Sequence, residues 1–339
     1  MPKRLAIPKN QRLMPDRKCK KSRTNGMAKQ DETGNCKKEK NWNDMPNEVK
    51  AMIMNKMDII TKIRLKRCSK SDKCLVEAFP IFVPKVRFRL QMAAYGSHPT
   101  IFNLKDQNDI DILKIQQYIS RIEIWKYGEK HRVIEQSCVK DSRDMMERFV
   151  YSILLAKNLR VGSFETDWKM NKKYIPAGHM FHFDSVTIAC RDSDRCKKWL
   201  KHVAPTAKKI ATVIQCYTRG IGNVPCVLNA EYLSFYHTNI NDKQLLKFKA
   251  TRLSIGPSNV TIDGAKKLIK KWINEDYPIG SKLTISTSGD NDARHIKKVL
   301  DGFVYELENE EQAKIAMGPN KFMRLSNKYS INGEIFSVN

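Results

Sequence analysis

The chain has 339 residues, of which 41% are hydrophobic and 29% charged, and its formal net charge is +26 at pH 7. This length suits one large domain or two smaller ones, and the hydrophobic content is sufficient for a core. The chain has no apolar run of about eighteen residues and its N-terminus is charged, so we expect neither a membrane span nor a secretory signal. We therefore expect a soluble protein of the cytoplasm, the nucleus or both.

The nine cysteines are odd in number and include no CxxC pair, which argues against a disulfide framework and against a zinc finger. Reduced and mostly buried thiols are expected instead. The large positive charge attracts nucleic acid, acidic membranes or acidic proteins, but it carries no information about the fold.

Residues 1–40 contain thirteen Lys or Arg and four acidic residues, a net charge of about +9, with few aromatic or β-branched side chains. A segment of this composition buries too little apolar surface to order itself, so we predict a disordered basic tail. Within it, the cluster "DRKCKKSR" at residues 16–23 is compatible with a nuclear address and with a merely solvated tail.

A helical segment is predicted next, in "WNDMPNEVKAMIMNKMDIITKIRLKRCSK" at residues 42–70. Asp44 and Pro46 suit a helix start, and the apolar residues that follow recur at helical spacing. Asp58 can cap a second short helix, and a third is expected near Ser69. Helices this short are too small to be stable alone, so they need a partner to cover them.

This stretch resembles an F-box, with Met at three positions where that family usually has Leu. The matching residues are Met45, Pro46, Glu48, Val49, Ile53, Met54, Met57, Asp58, Leu65, Arg67, Ser69 and Lys70. Exchanging Leu for Met conserves volume and apolar character. The alternative is an ordinary helical hairpin packed inside the main domain.

The resemblance implies binding of a Skp-family adaptor and, through it, a cullin of a ubiquitin ligase. The residues expected to face the adaptor are Trp42, Met45, Pro46, Val49, Ile53, Met57, Ile59, Ile60, Ile63 and Leu65. We assign the F-box to residues 41–75 and a substrate-binding domain to residues 85–339.

Strands and helices are predicted in the remaining chain. "KVRFRL" at residues 85–90 alternates apolar and cationic residues, which is typical of a half-buried strand at a sheet edge or on an open face. Further strands are predicted at 159–161, 185–188, 210–215, 231–236, 251–255 and 282–286, and helices at 141–157, 196–203, 245–248 and 262–273.

The last five predicted strands start about 20 to 31 residues apart, close to the period of a leucine-rich repeat. We therefore predict an α/β domain built as a degenerate leucine-rich-repeat-like strand-helix solenoid. Asn332-Gly333 within "SINGEIF" predicts a terminal β-hairpin that covers the last sheet edge. More loosely, "LLKFKATRLSI" at 245–255, "KKWI" at 270–273 and "IGSKLTI" at 279–285 resemble the F-box-associated domains of nematode F-box families.

Catalytic chemistry is not indicated. His179, His182, Cys190 and Cys196 are suitable zinc ligands by type, yet their spacing is unusual and phenylalanines interleave the histidines as core residues would. No phosphate-binding glycine motif and no nucleophile with an orienting base is present. We assign no catalytic residue, no metal ligand and no cofactor.

Three function classes remain: a substrate receptor of a Skp-cullin-F-box ubiquitin ligase, a basic protein associated with nucleic acid, and a repeat-like scaffold without adaptor binding. The sequence supports the nucleic-acid hypothesis less than the ubiquitin-ligase hypothesis, because no recognised nucleic-acid-binding motif accompanies the positive charge. Four cations oppose the apolar stripe of the predicted helix 262–273: Lys266, Lys267, Lys270 and Lys271. Together with lysines at 197–201 and 297–298, they form either a solvated surface or a ridge for an acidic or phosphorylated target protein.

Overall fold

The structure is a computed structural model, which describes residues 42–57, 59–66, 68–90, 100–117, 121–126, 129–135, 139–189, 193–213, 220–287, 296–327 and 330–338. The predicted basic tail, residues 1–40, lies outside these ranges. Contacts divide the chain into two units, Met1–Lys50 and Ala51–Asn339, and the boundary falls inside the first helix.

Three helices precede the first strand, and further helices alternate with strands after it. They are α1 (Asn47–Lys56), α2 (Ile59–Leu65), α3 (Lys70–Ala78), α4 (Val139–Leu154), α5 (Ser193–Leu200), α6 (Pro225–Asn229), α7 (Asp242–Leu245), α8 (Ile262–Asn274) and α9 (Ile296–Leu300). Short 3-10 helices occupy Trp42–Asp44, Lys172–Tyr174 and Ile221–Asn223. In the part of the chain that the structure describes, no helix has the length and apolar character needed to span a bilayer.

One large sheet follows the helical segment, so the chain has a mixed α/β fold. Its strands are β1 (Ile81–Leu90), β2 (Thr100–Lys105), β3 (Asp111–Gln117), β4 (Arg121–Lys126), β5 (Glu129–Glu135), β6 (Leu159–Thr166), β7 (His182–Ile188), β8 (Lys209–Thr212), β9 (Tyr232–Phe235), β10 (Arg252–Ile255), β11 (Lys282–Ile285), β12 (Glu306–Asn309), β13 (Gln312–Gly318), β14 (Lys321–Asn327) and β15 (Ile331–Ser337). Their order across the sheet is β12-β13-β14-β15-β11-β10-β9-β8-β7-β6-β1-β2-β3-β4-β5.

The centre of the sheet is parallel and its strands follow chain order. From β6 to β11 each strand pairs with the next one along the chain, and β1 pairs in parallel with β6. The register is even, so that Ile210, Leu233, Leu253 and Leu283 lie side by side on neighbouring strands. The strands predicted in this region are therefore confirmed.

Both flanks of the sheet are antiparallel. On one side β1 to β5 form a meander, and on the other side β15, β14, β13 and β12 follow β11. Strands β2 to β5 were not predicted from the sequence. They extend the sheet beyond β1, so the expectation that β1 lies at an edge is wrong. The prediction that β1 is a half-buried strand is confirmed. Val86 and Phe88 are buried on one face, and the cations Lys85, Arg87 and Arg89 are half-buried on the other face.

The predicted Asn332-Gly333 turn is also wrong. Both residues lie inside β15, where Gly333 pairs with Leu283 of β11 and with Leu325 of β14. A Cβ atom at Gly333 would stand 2.9 Å from side-chain atoms of both leucines, so close packing accounts for this glycine without a turn. A C-terminal hairpin does exist, between β14 and β15, but β15 lies within the sheet and β12 forms the edge on this side.

The core lies between the sheet and the helices on one of its faces. Trp199 of α5 packs on Phe164 of β6 with ring centroids 5.0 Å apart, and Phe248 packs on Phe235 of β9. In α8, Leu268, Ile269 and Trp272 are fully buried. Alternate residues of the parallel strands point into this core because side chains alternate between the two faces of a sheet.

Helix starts follow local capping rules. The three helices predicted near Asp44, Asp58 and Ser69 are confirmed as α1, α2 and α3. Helix α7 begins three residues before its predicted position, since Asn241 and Gln244 form a reciprocal capping box. The Asn-x-x-Gln spacing was readable in the sequence and was missed.

Candidate functional site

Helix α3 closes the helical segment with a well-formed cap. The Ser69 hydroxyl accepts a hydrogen bond from the Asp72 backbone N–H at 3.0 Å and donates to the Asp72 carboxylate at 2.7 Å. Lys66 pairs with Glu77 at 2.7 Å. The buried residues Met54, Ile59 and Val76 supply apolar contacts in this part of the chain.

The residues expected to face an adaptor differ in accessibility. In the first unit, Trp42 and Met45 are half-buried, Pro46 is exposed, and Val49 is 40% exposed. In the second unit Ile53, Met57 and Leu65 are half-buried, whereas Ile59 is already buried by the chain itself. The side chains of Ile60 and Ile63 lie outside the described residues.

Met52 of α1 is 67% exposed, more than Val49 of the same helix, which is 40% exposed. It belongs to the apolar stripe of the predicted helix but was not among the residues assigned to the adaptor. The described apolar side chains of α1 thus include several that the chain itself leaves in contact with solvent.

Asn158 ties the end of α3 to the sheet. Its side-chain amide donates to the carbonyl of Val76 at 2.7 Å and also to the carbonyl of Phe79. Its backbone carbonyl accepts from the N–H of Ile81 at 3.0 Å, at the start of β1. One asparagine therefore serves the helical segment and the first strand, a role that no local sequence signal reveals.

Two of the four lysines assigned to target binding on α8 are engaged by the domain itself. Lys271 donates to the carbonyls of Leu246 and Phe248 at 2.9 and 3.0 Å, just beyond the C-terminus of α7. Lys266 forms an ion pair with Asp301 at 3.3 Å. Lys267 and Lys270 are exposed, and the Lys270 ammonium lies 5.5 Å from the Phe303 ring centroid.

The other helical lysines divide between two surfaces. Lys297 and Lys298 of α9 line an open groove together with Lys266 and with the acidic residues Asp263 and Asp301. The α5 lysines instead line a separate hollow of about 220 Å³ with Lys172, Asp194 and His202; they are Lys197, Lys198 and Lys201. The structure thus groups the α8 and α9 cations, and places the α5 cations in another hollow.

The histidines considered as zinc ligands lie near one another but beside core residues. Phe181 and Phe183 are buried and stack with ring centroids 5.4 Å apart. Burial, and then the neighbouring His182 and His202, lower the pKa of His179. Among the described residues no group of three or more histidine, cysteine or acidic side chains could hold a metal ion; Cys190 lies outside them.

The described free cysteines fall into two classes. Cys196 and Cys226 are buried, and burial raises the pKa of the Cys226 thiol to about 12, which makes it a poor nucleophile. Cys68 and Cys74 are exposed. The expectation of buried thiols is therefore met by Cys196 and Cys226 and not by Cys68 and Cys74.

Two family models match the chain. The F-box domain matches residues 42–83, and a domain of unknown function (DUF3557) matches residues 144–289. No curated protein and no solved structure gives a significant match. The first match covers α1 to α3, and the second covers the parallel strands β6 to β11. The chain therefore contains an F-box domain, followed by a C-terminal domain that matches DUF3557.

Proposed function

We propose that this protein is the target-recognition subunit of a Skp-cullin-F-box ubiquitin ligase. The observation that carries the proposal is the F-box match at residues 42–83, in a segment whose Val49 and Met52 remain exposed. Apolar side chains exposed in this way are typical of a surface that a partner covers. The partner is a Skp-family adaptor, through which a cullin is recruited.

The mechanism of such a receptor is proximity. The F-box holds the chain on the adaptor while the C-terminal domain holds a target protein, so that the lysines of the target meet a separate ubiquitin-loaded enzyme at high effective concentration. The chain itself contributes binding and no chemical step. It acts in the cytoplasm, the nucleus or both.

The C-terminal domain in this proposal is a repeat-like solenoid that begins near residue 85. The sequential, parallel order of β6 to β11 supports it, as do the helices that lie between successive strands. Such an array leaves one strand-lined and one helix-lined surface. Lys267 and Lys270 are the exposed members of the helix-side cations assigned to an acidic or phosphorylated target, with Lys266 and Lys271 beside them.

Replacement of Ile53 by Asp tests the adaptor interface. A carboxylate enclosed in an apolar interface without a partner costs several kcal/mol, so capture of a purified Skp adaptor should weaken at least about 100-fold. Lys56→Asp places the same new side chain at an exposed position of α1 and should leave capture within about threefold. Equal capture by wild type and Ile53→Asp would contradict the proposed adaptor surface.

A further inference from the structure

The side of the parallel sheet opposite the core carries a row of basic residues. Alternate residues of β8 to β11 that do not face the core lie in register as Lys209, Tyr232, Arg252 and Lys282. Lys209, Arg252 and Lys282 are exposed, whereas the neighbours of these residues along the strands, such as Leu233 and Leu253, are buried. We refer to these four residues as the basic row.

The basic row is held in place by its own contacts. The Lys209 ammonium lies 4.7 Å from the centroid of the Tyr232 ring, a favourable cation–π distance. At the other end Lys282 pairs with Glu334 of β15 at 2.8 Å. Arg252 lies between them on β10, with an exposed side chain. Three cations are thus spaced over four neighbouring strands, and the acidic residue paired with Lys282 lies one strand beyond the row.

Two exposed apolar side chains lie at the opposite ends of the same strands. Val213 directly follows β8 and is 56% exposed, and Tyr236 directly follows β9 and is 53% exposed. Both continue the alternation that begins with Lys209 and Tyr232, so they belong to the same side of the sheet. The Tyr236 ring meets the His237 ring edge to face at 4.6 Å, which limits its freedom.

Small side chains lie between the basic row and this apolar pair. In register across β8 to β11 they are Ala211, Ser234, Ser254 and Thr284, all half-buried. The basic row flanks them on one side along all four strands; on the other side Val213 and Tyr236 flank the β8 and β9 members, and the small Gly256 and Ser286 follow on β10 and β11. We refer to this strip of small residues, which crosses the strands, as the trough. Their short side chains let the backbone of a bound segment approach closely, and the three hydroxyls can donate to its carbonyl groups.

We propose that this trough binds an extended acidic segment of a target protein, with carboxylates on the basic row and apolar side chains against Val213 and Tyr236. Neighbouring strands are about 4.8 Å apart, so four strands span roughly 14 Å, the length of about four extended residues. Because side chains alternate along an extended segment, every second residue would be acidic and the residues between them apolar. The inference rests on the proposed function, since it names the chemistry of the target.

The arrangement of side chains, and not the number of cations, favours this surface over the helix side. On α8 Lys266 and Lys271 are engaged by Asp301 or by backbone carbonyls, and in the basic row Lys282 is engaged by Glu334. Each surface thus retains two further exposed cations. On the trough, cations and apolar side chains flank a floor of small residues, so that it can read both charge and an alternating pattern. The same electrostatic attraction speeds encounter with an acidic partner.

The test uses the full chain and a fluorescein-labelled octapeptide in which four glutamates alternate with four leucines, at about 0.15 M salt. A second peptide with glutamine in place of glutamate measures binding without charge. Anisotropy titration should show wild-type protein binding the glutamate peptide at least about tenfold more tightly than the glutamine peptide. Equal binding of the two peptides would overturn the proposal.

Two double variants of equal net charge locate the binding. Lys209→Glu with Arg252→Glu should weaken binding of the glutamate peptide at least about tenfold, and a matched helix-side pair at exposed lysines outside any proposed binding surface, Lys243→Glu with Lys247→Glu, should change it less than about threefold. A third variant, Ser254→Trp, fills the trough without changing charge and should also weaken binding. If the helix-side pair loses as much affinity as the basic-row pair, or more, the trough is not the site.

Capture of the Skp adaptor is measured on the same samples as a separate readout of the F-box, and far-UV circular dichroism reports whether each variant is folded. Peptide selectivity that is absent in a wild-type protein that captures adaptor defeats the trough and leaves the proposed function intact. Peptide binding that depends on the trough in a protein that captures no adaptor defeats the proposed function and supports the trough.

Discussion

The F-box helix α1 and the sheet-domain helix α8 differ in how far their apolar side chains are buried. Helix α1 buries Met54 but leaves Val49 40% and Met52 67% exposed, whereas α8 buries Leu268, Ile269 and Trp272 completely. The two helices thus differ in how much apolar surface the chain itself removes from water. In the proposed function a Skp-family adaptor covers the F-box surface, whereas the C-terminal domain buries its own core and carries charged side chains at its surface.

Truncation of a large side chain should therefore lower the free energy of unfolding in α8 and leave it nearly unchanged at the exposed position of α1. Trp272→Ala removes a fully buried ring that stacks on Tyr277 at 4.7 Å, and should lower the free energy of unfolding by about 3 to 5 kcal/mol. Met52→Ala removes an exposed side chain and should change it by less than about 0.5 kcal/mol. Urea denaturation measures both; a large loss of stability in Met52→Ala would break the comparison.

The next largest loss of stability is expected from Asn158, which connects the end of α3 to the start of the sheet. Asn158→Ala removes the amide that donates to the carbonyls of Val76 and Phe79, and should destabilise the protein by about 1 to 3 kcal/mol. The exposed Asn229, which donates to the Pro225 carbonyl at 3.1 Å, provides a matched control, and Asn229→Ala should cost less. Similar unfolding midpoints for the two variants would show that Asn158 does not hold α3 to the sheet.

A smaller effect is expected from the cap of α3. Ser69→Ala removes the acceptor of the Asp72 N–H and should cost about 1 kcal/mol. Ser71→Ala makes the same change at an exposed position within the helix and should be nearly neutral. Thermal unfolding followed by circular dichroism distinguishes the two; indistinguishable melting curves would mean that the cap contributes nothing.

The smallest effect is expected at a pH-sensitive turn of the sheet domain. Hydrogen bonds from Lys105 and then Lys85 hold the pKa of Asp109 at about 2, below the roughly 3.9 of an unfolded chain. The resulting stabilisation is fully present above about pH 4 and is lost as the pH falls towards 2. Asp109→Asn should consequently be less stable than wild type at pH 5, and the difference should shrink towards pH 2.

Urea midpoints at several pH values measure this convergence. Glu306→Gln, a neutralisation on the exposed edge strand β12, controls for the general loss of negative charge. A constant difference between Asp109→Asn and wild type over the whole range would show that the lysine contacts do not stabilise the ionised carboxylate in solution.

Local signals were sufficient for many elements. The Pro46 and Ser69 positions mark helices because a proline without an N–H and a hydroxyl acceptor satisfy the first turn locally. The central strands were found because the sequence alternates there between core-facing and solvent-facing residues, as the buried Leu233 and Phe235 and the intervening, half-buried Ser234 do in β9. The F-box motif was found because its residues lie within one short stretch.

Long-range contacts decided the rest. Gly333 was predicted to lie in a turn, yet it pairs with Leu283 and Leu325 inside β15. The side chains of those two leucines leave no room for a Cβ atom, which accounts for the glycine. Lys271 was predicted to be a surface cation, yet its ammonium donates to the carbonyls of Leu246 and Phe248, more than twenty residues earlier. The trough depends in the same way on register between strands, which no single stretch of sequence encodes.

The sequence by itself determined the F-box, the helix starts and the alternation of the parallel strands, since each depends on residues close together in the chain. Only the tertiary structure decided which alternating residues become neighbours. Lys209 and Arg252 are 43 positions apart in the chain and Arg252 and Lys282 are 30 apart, and they form one row because the parallel strands pair in even register. Backbone hydrogen bonding between distant strands fixes that register, so the row exists only in the folded chain.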